Sequence, residues 1–336
     1  MATNKRAGQT KRTKGRKVTK AARAAAKPPK QNSRTGPRRP GTRARNGTTM
    51  RRTLRREVPS TVGVLADEHD FGAMRRYRTF AFDNHANYLR QIEALLKTLA
   101  SHQLHTTVAL FDPEDFKEYC TEEGIEPDAA ASRSRYTAEI AARGASVPYT
   151  GQPLAGLLPH LIDKAVRQAT WEYATLLLAG LGDCADCGQD IGRAAFDRAS
   201  RILMRLLEQA GPGNHHLVCS VPAAEEQLLA VLHAEGAAGS AAQLDASEGA
   251  EFVTVLATAI ALESPGGVVL RTSTPDAPDR LHGWRLHQGR LLPLTAGEVF
   301  SAYCTDATTG EPLSPEPGVD YCAGFDIATD DPHDHH

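Results

Sequence analysis

Residues 180–221 read GLGDCADCGQDIGRAAFDRASRILMRLLEQAGPGNHHLVCSV. They hold a Cys-x-x-Cys-Gly turn, an amphipathic stretch and a His-His-x-x-Cys segment, and no other window gathers so many metal-ligand types. A Cys-x-x-Cys-Gly turn lets two thiolates converge on one tetrahedral ion, with the glycine relieving the backbone after the second ligand. The expectation is a structural zinc ion held by Cys184 and Cys187 with one or two of His215, His216 and Cys219. Geometry objects if HHLVCSV is a regular strand. His215 and Cys219 then share a face but stand about 13 Å apart, four steps of about 3.3 Å. A bent loop after Gly211, Pro212 and Gly213 would bring them closer; otherwise Cys120, Cys304 or Cys322 completes the set. Free structural thiols are the competing reading. Redox chemistry is disfavoured because the turn follows a helix rather than a strand.

Between the two motifs, Ala195, Ala199, Ile202, Leu203, Leu206 and Ala210 centre on one helical face at 100° per residue. Arg198, Arg201 and Arg205 are placed on the opposite face, where they would contact phosphate or form an ordinary solvated surface.

Working outward, the N-terminal side begins with an extreme charge split. Residues 1–56 carry 20 Lys or Arg and no Asp or Glu, whereas residues 57–336 carry 19 basic and 40 acidic residues. The first 57 residues are nearly devoid of large apolar side chains and are expected to stay disordered. Such an arm reads as an electrostatic ligand for nucleic acid, with Lys11, Arg12, Lys14, Arg16 and Lys17 in its densest run. The alternatives are a solubilising extension, or an arm that folds back on its own acidic body.

From residue 58 the pattern is that of a packed chain. DNHANYLRQIEALLKTLASHQ is expected to be a helix capped by Asp83, with Tyr88, Ile92, Leu95, Leu96 and Leu99 as its apolar stripe. HTTVALF (105–111) is a short strand. It leads into a helix with Asp112 as cap, Pro113 in the first position and Gly124 as terminator. Asp112, Glu114 and Asp115 could hold magnesium, but their place in a first helical turn accounts for them without a metal. Helices follow near 132–143 and at 154–181, the second carrying Trp171 and Tyr173 as core aromatics.

Beyond the central stretch, 222–235 and 248–263 read as helices. The segments GGVVLRTS, LHGWRLH, GRLLPL and EVFSAYCT then suggest a small, mostly antiparallel sheet. TAGEVFSAYC is also open to a helical reading, since Thr295 and Glu298 have capping-box spacing. His233-Ala-Glu235 imitates a zinc-deaminase motif but lacks the downstream Pro-Cys-x-x-Cys.

The fold class expected is α+β, helix-rich in its N-terminal and central parts, with the sheet at the C-terminal end. The organisation expected is a basic tail (1–57), a globular domain (58–325) with a sub-boundary near 182–214, and a loose acidic, His-bearing tail (326–336). No apolar run reaches the roughly 20 residues of a membrane helix. The basic N-terminus lacks the apolar core of a secretory signal, and six cysteines in 336 residues do not make a disulfide scaffold. A cytoplasmic protein is expected.

The stretches ANYLRQIEALLKTLASHQLHTTVALFDPEDF, AVRQATWEYATLLLAGLGDCADCGQDIGRAAFDRA and EVFSAYCTDATTGEPLSPEPGVDY resemble a group of uncharacterised actinobacterial proteins over roughly residues 74–325. That resemblance implies a host class and no activity, cofactor or substrate. The first functional reading is a non-enzymatic nucleic-acid-associated or regulatory protein with a zinc-stapled domain. The second is an enzyme with a scattered site, its first suspects Asp112, Glu114, His215 and His216. The third is a partner-binding module with a solubilising tail.

Overall fold

Strand β1 (Ser60–Val64) pairs in parallel with β2 (Thr106–Leu110), in register from Ser60↔Thr106 to Val64↔Leu110. A parallel pair requires a crossover, and helices α1 (Glu68–Met74) and α2 (His85–Ser101) occupy it. The cap of α2 is Asn84, whose side chain accepts the Asn87 N–H, and not Asp83. Tyr88 and Leu96 carry the buried stripe of α2, while Leu95 is turned to the exposed side. Helix α3 (Pro113–Glu123) has the ends its sequence specifies: the Asp112 carboxylate accepts the N–H groups of Glu114 and Asp115, and Gly124 closes it at φ 63°. Helix α4 (Ala130–Arg143) and strand β3 (Ser146–Pro148), antiparallel to β2, complete a three-stranded sheet of order β1-β2-β3.

This computed structural model describes residues 60–327 apart from 103, 224–225, 238, 240 and 307, so the expected basic arm and most of the C-terminal tail lie outside the described residues. The described chain divides into two units, 60–168 and 169–327. The division falls inside the long helix α5 (Leu154–Ala179), upstream of the sub-boundary that the sequence suggested. Leu154, Leu157 and Leu161 of α5 join Phe71, Met74, Phe116 and Tyr136 in the core of the first unit, and Ala174 and Leu178 join the core of the second. In the first core the Tyr88 hydroxyl accepts the Leu65 N–H, and burial pushes its pKa up to about 12.

The second unit is built on two long strands. Helix α6 (Ile191–Ala210) leads into β4 (Gly213–Ala223), which forms a hairpin with β5 (Glu226–Gly236) in register from Gly213↔Gly236 to Ala223↔Glu226. The short β6 (Gln243–Leu244) precedes helix α7 (Ala246–Ala261). Strands β7 (Gly266–Ser273), β8 (Asp279–His287) and β9 (Arg290–Pro293), helix α8 (Ala296–Tyr303) and strand β10 (Val319–Cys322) follow. The sheet order is β10-β8-β7-β4-β5-β6 with β9 on β8, antiparallel except for the β10–β8 pair. The expected small sheet is therefore a seven-stranded one.

One segment reading fails here, and a second resolves in favour of its helical alternative. Residues 226–236 are a strand: Leu228, Ala230, Leu232 and Ala234 are buried while Gln227, Leu229 and His233 are exposed, a period of two that outweighs the helix propensity of Leu, Ala and Glu. Residues 296–303 are a helix, because the Thr295 and Glu298 side chains close a reciprocal capping box. Helix α7 is buried on almost every side, from Glu251 to Ile260, since it packs on β4, β5 and α6. Phe325 and Ile327 also reach this core, so packing continues past residue 325.

Candidate functional site

The connection between α5 and α6 is a tight thiol-bearing turn. Asp183 and Asp190 form an isolated antiparallel bridge, the Cys184 N–H donates to the Gln189 carbonyl at 2.8 Å, and the Gly188 N–H donates to the Cys184 carbonyl at 2.8 Å. Gly188 sits at φ 71°, a left-handed conformation that glycine adopts without Cβ strain. The backbone N–H groups of Cys187 and Asp186 reach the Cys184 sulfur and hold its pKa below the ordinary thiol value, assisted by the Cys187 side chain. Cys184 is buried and Cys187 exposed.

The remaining expected zinc ligands are not brought to this turn. The segment HHLVCSV is a regular part of β4, so His215 and Cys219 face the core four residues apart and His216 points to the opposite face. The objection of strand spacing therefore stands, and the five residues do not form one centre. His215 is also engaged at both nitrogens, Nε2 with the Gly211 carbonyl and Nδ1 with the Thr272 hydroxyl, each at 3.0 Å. Nε2 donates to the carbonyl, which leaves Nδ1 to accept from the hydroxyl. Burial is the main force pulling the His215 pKa down, with the Arg280 charge adding to it and the Gly211 carbonyl opposing it.

A lowered histidine pKa means that the unfolded chain binds the proton more readily than the folded one. The contribution of His215 is present above about pH 6.5 and is lost as pH falls through the folded value. The urea midpoint of the wild type should therefore drop further between pH 7.5 and 5.5 than that of His215→Gln. Parallel curves for the two proteins would remove His215 from the acid response.

One group of three metal-capable side chains does meet among the described residues: Asp67, His69 and Asp70, with donor atoms within 4.8 Å of one another. Its geometry is that of a helix start, where the Asp67 carboxylate accepts the Asp70 N–H as N-cap of α1. Asp112 is likewise used as a cap, and Asp112 and Glu114 belong to the first unit while His215 and His216 belong to the second. The four suspected catalytic residues are thus not shown to converge.

On α6, Arg201 and Arg205 are exposed but Arg198 is buried, so the expected triple guanidinium face is reduced to two. The helix packs on both β4 and α7, which widens its buried arc beyond a single apolar stripe. Trp171 is exposed rather than a core aromatic. Lys11, Arg12, Lys14, Arg16 and Lys17 lie outside the described residues.

The sequence reading missed the sheet face turned away from α6 and α7. His233, His216 and Arg271 occupy one cross-strand row, and Val231, Val218 and Val269 the next. The His216 and His233 rings stand 4.8 Å apart, and the Glu248 carboxylate accepts from the His233 backbone N–H at 2.9 Å. Burial and the neighbouring His233 and Arg271 charges lower the His216 pKa. Arg271 is fixed by Asp279 at 2.6 Å and Glu316 at 2.8 Å, and these carboxylates hold it protonated. Helix α8 covers the β8 end of this face through Val299 over Gly283. The row combines half-buried valines, two imidazoles and a guanidinium paired with two carboxylates. The run QLLAVLH has five apolar residues in a row, so no alternation in the sequence marked His233 as a residue of this face.

Residues 49–152 match a family described as a domain of unknown function (DUF8829), so the resemblance to an uncharacterised protein family holds over that span. No curated protein and no solved structure matches the chain. Among the described residues no helix is long and apolar enough to cross a membrane.

Proposed function

We propose that the protein is a non-enzymatic, nucleic-acid-associated factor of the cytoplasm, in which the N-terminal arm supplies the affinity and the folded units serve a partner or regulatory role. The observation that carries this reading is the segregation of charge. Residues 1–56 hold 20 basic and no acidic residues, whereas residues 169–336 hold eight basic and 24 acidic ones. A body of that sign repels phosphate on average, so contact falls to the arm. Arg201 and Arg205 adjust orientation and contribute little of the energy.

Each arm cation that neutralises a phosphate steepens the slope of log K against log salt by about 0.9 on duplex DNA. Replacing Lys11, Arg12, Lys14, Arg16 and Lys17 together by glutamine in the full chain should flatten that slope by up to about 4.5. Arg201→Gln with Arg205→Gln should leave it nearly unchanged. A salt series on one duplex by fluorescence anisotropy makes the comparison. No binding by the wild type at 50 mM salt, or an unchanged slope in the fivefold variant, overturns the reading. The open sheet face of His216, His233 and Val218 would then favour a partner-binding module without nucleic acid.

A further inference from the structure

The end of the chain is anionic without relief: residues 291–336 hold nine Asp or Glu and no Lys or Arg. Within that stretch the second unit turns large apolar side chains outward. Phe300 and Tyr303, one turn apart on α8, are 44% and 46% exposed, and Leu313 is 49% exposed. The Phe300 and Tyr303 rings stand 5.2 Å and 6.3 Å from the ring of Tyr321 on β10, whose hydroxyl accepts the Glu316 N–H at 3.1 Å. The loop after α8 returns to the same end of the helix. Thr305 bridges to Pro312, the Asp306 N–H donates to the Glu311 carbonyl, and the Leu313 N–H donates to the Cys304 carbonyl. Leu313, Asp306 and Glu311 are thereby gathered at the Tyr303 end of α8.

The charge around this patch is one-sided. The Asp306 carboxylate accepts the N–H groups of Thr309 and Thr308, which hold it ionised. Arg271, the cation acting on Tyr303, is already tied to Asp279 and Glu316, and Arg285 acts on Glu298 in the first turn of α8. Exposed aromatic rings beside carboxylates select a cationic partner, since a guanidinium is attracted to a ring face as well as to an anion. Aromatic surfaces also take proline, and prolines three apart share one side of a polyproline helix with three residues per turn. Three Pro-x-x-Pro spacings occur in the chain, and only Pro37-Arg38-Arg39-Pro40 encloses basic residues. Its surroundings, RTGPRRPGTRAR at 34–45, hold five arginines and no acid. We propose that this segment docks on the Phe300, Tyr303 and Leu313 surface of its own chain, with prolines on the rings and arginines toward Asp306 and Glu311.

Residues 34–45 lie outside the described residues, and residues 46–59 tether them to β1 with a reach of up to about 50 Å when extended. A tether makes the contact intramolecular, so an intrinsic affinity of only about millimolar is sufficient. The contact engages a different part of the arm from Lys11, Arg12, Lys14, Arg16 and Lys17 and needs no nucleic acid. It can therefore fail, or hold, separately from the nucleic-acid reading.

The test uses the full chain with the photo-cross-linker p-benzoylphenylalanine in place of Phe300, and separately in place of Leu313, so that one unstable variant does not end it. Isotopically light and heavy chains are mixed, irradiated without nucleic acid and digested, and the cross-linked peptides are mapped by mass spectrometry. Expected are light–light and heavy–heavy cross-links concentrated in residues 34–45. Pro37→Ala with Pro40→Ala keeps every charge and should lower their yield about tenfold, the effect of losing about 1.4 kcal/mol of contact. Lys11→Gln with Lys14→Gln and Lys17→Gln removes charge elsewhere in the arm and should leave the yield unchanged. Cross-links spread evenly over residues 1–56, or insensitive to the two prolines, would show charge attraction alone and overturn the proposal. Light–heavy cross-links in place of the intrachain ones, or none to the arm from either position, would overturn it equally.

Discussion

Trp284→Ala should destabilise the C-terminal unit by about 3–5 kcal/mol, a large share of the roughly 5–15 kcal/mol that a domain commonly has in hand. Trp284 is 1% exposed in the middle of β8, opposite Val268 of β7. Its ring packs edge-on against Phe325 at 4.8 Å, and its indole N–H donates to the Phe325 carbonyl at 2.9 Å. One side chain thus ties the sheet to a segment 41 positions away in sequence, which in turn brings Ile327 into the core. Truncation opens a cavity and leaves a carbonyl without its donor at the same time. Trp284→Phe retains most of the apolar contact and loses the hydrogen bond, so it should cost about 1–2 kcal/mol. Urea unfolding followed by circular dichroism measures both. Hydrogen exchange should show the amides of 323–327 losing protection first. A cost below about 1 kcal/mol for the alanine variant would mean that this tie does not hold the sheet.

How much of this was legible in the chain depends on whether a local rule or a distant neighbour decides each element. The start and stop of α3 are written in Asp112, Pro113 and Gly124, because caps act within one turn and need no tertiary partner. Strand β2 and helix α7 were legible for the same reason: a β-branched run in one, and an Asp245 cap ahead of a long apolar segment in the other. Strand β5 was not. Its residues favour a helix one by one, and only the eleven-residue pairing with β4 turns them into a strand. Arg198 was misplaced because a helix packed on a sheet and on a second helix buries more of its circumference than its leucines mark. The candidate site divides along the same line. The cysteine turn is local and could be read from five residues. The row of His216, His233 and Arg271 comes from three strands whose order no window of sequence reveals.

Cys219 offers the sharpest test of what β4 does with a residue that the sequence offered as a metal ligand. Its thiol is fully buried between Ala230 and Val268 of the flanking strands, and burial alone pushes its pKa up to about 12 from an ordinary 9.0. A raised folded value means that the native state keeps a proton which the unfolded chain surrenders. This contribution is complete below pH 9 and is lost as pH climbs toward 12. The three-unit gap corresponds to about 4 kcal/mol in full and about 2 kcal/mol at pH 10.5. Cys219→Ala removes the titration and leaves a small cavity costing about 1 kcal/mol. The variant should therefore be less stable than wild type at pH 7.5 and more stable at pH 10.5, with the crossing near pH 10. Lysine and tyrosine ionisation affects both proteins alike and cancels in the difference. In the native protein at neutral pH, iodoacetamide should label Cys187 while sparing Cys219, because a buried neutral thiol is neither accessible nor nucleophilic. A difference in stability that keeps one sign across this range would mean that the Cys219 environment is wetter than a sheet core, and would reopen its role as a ligand.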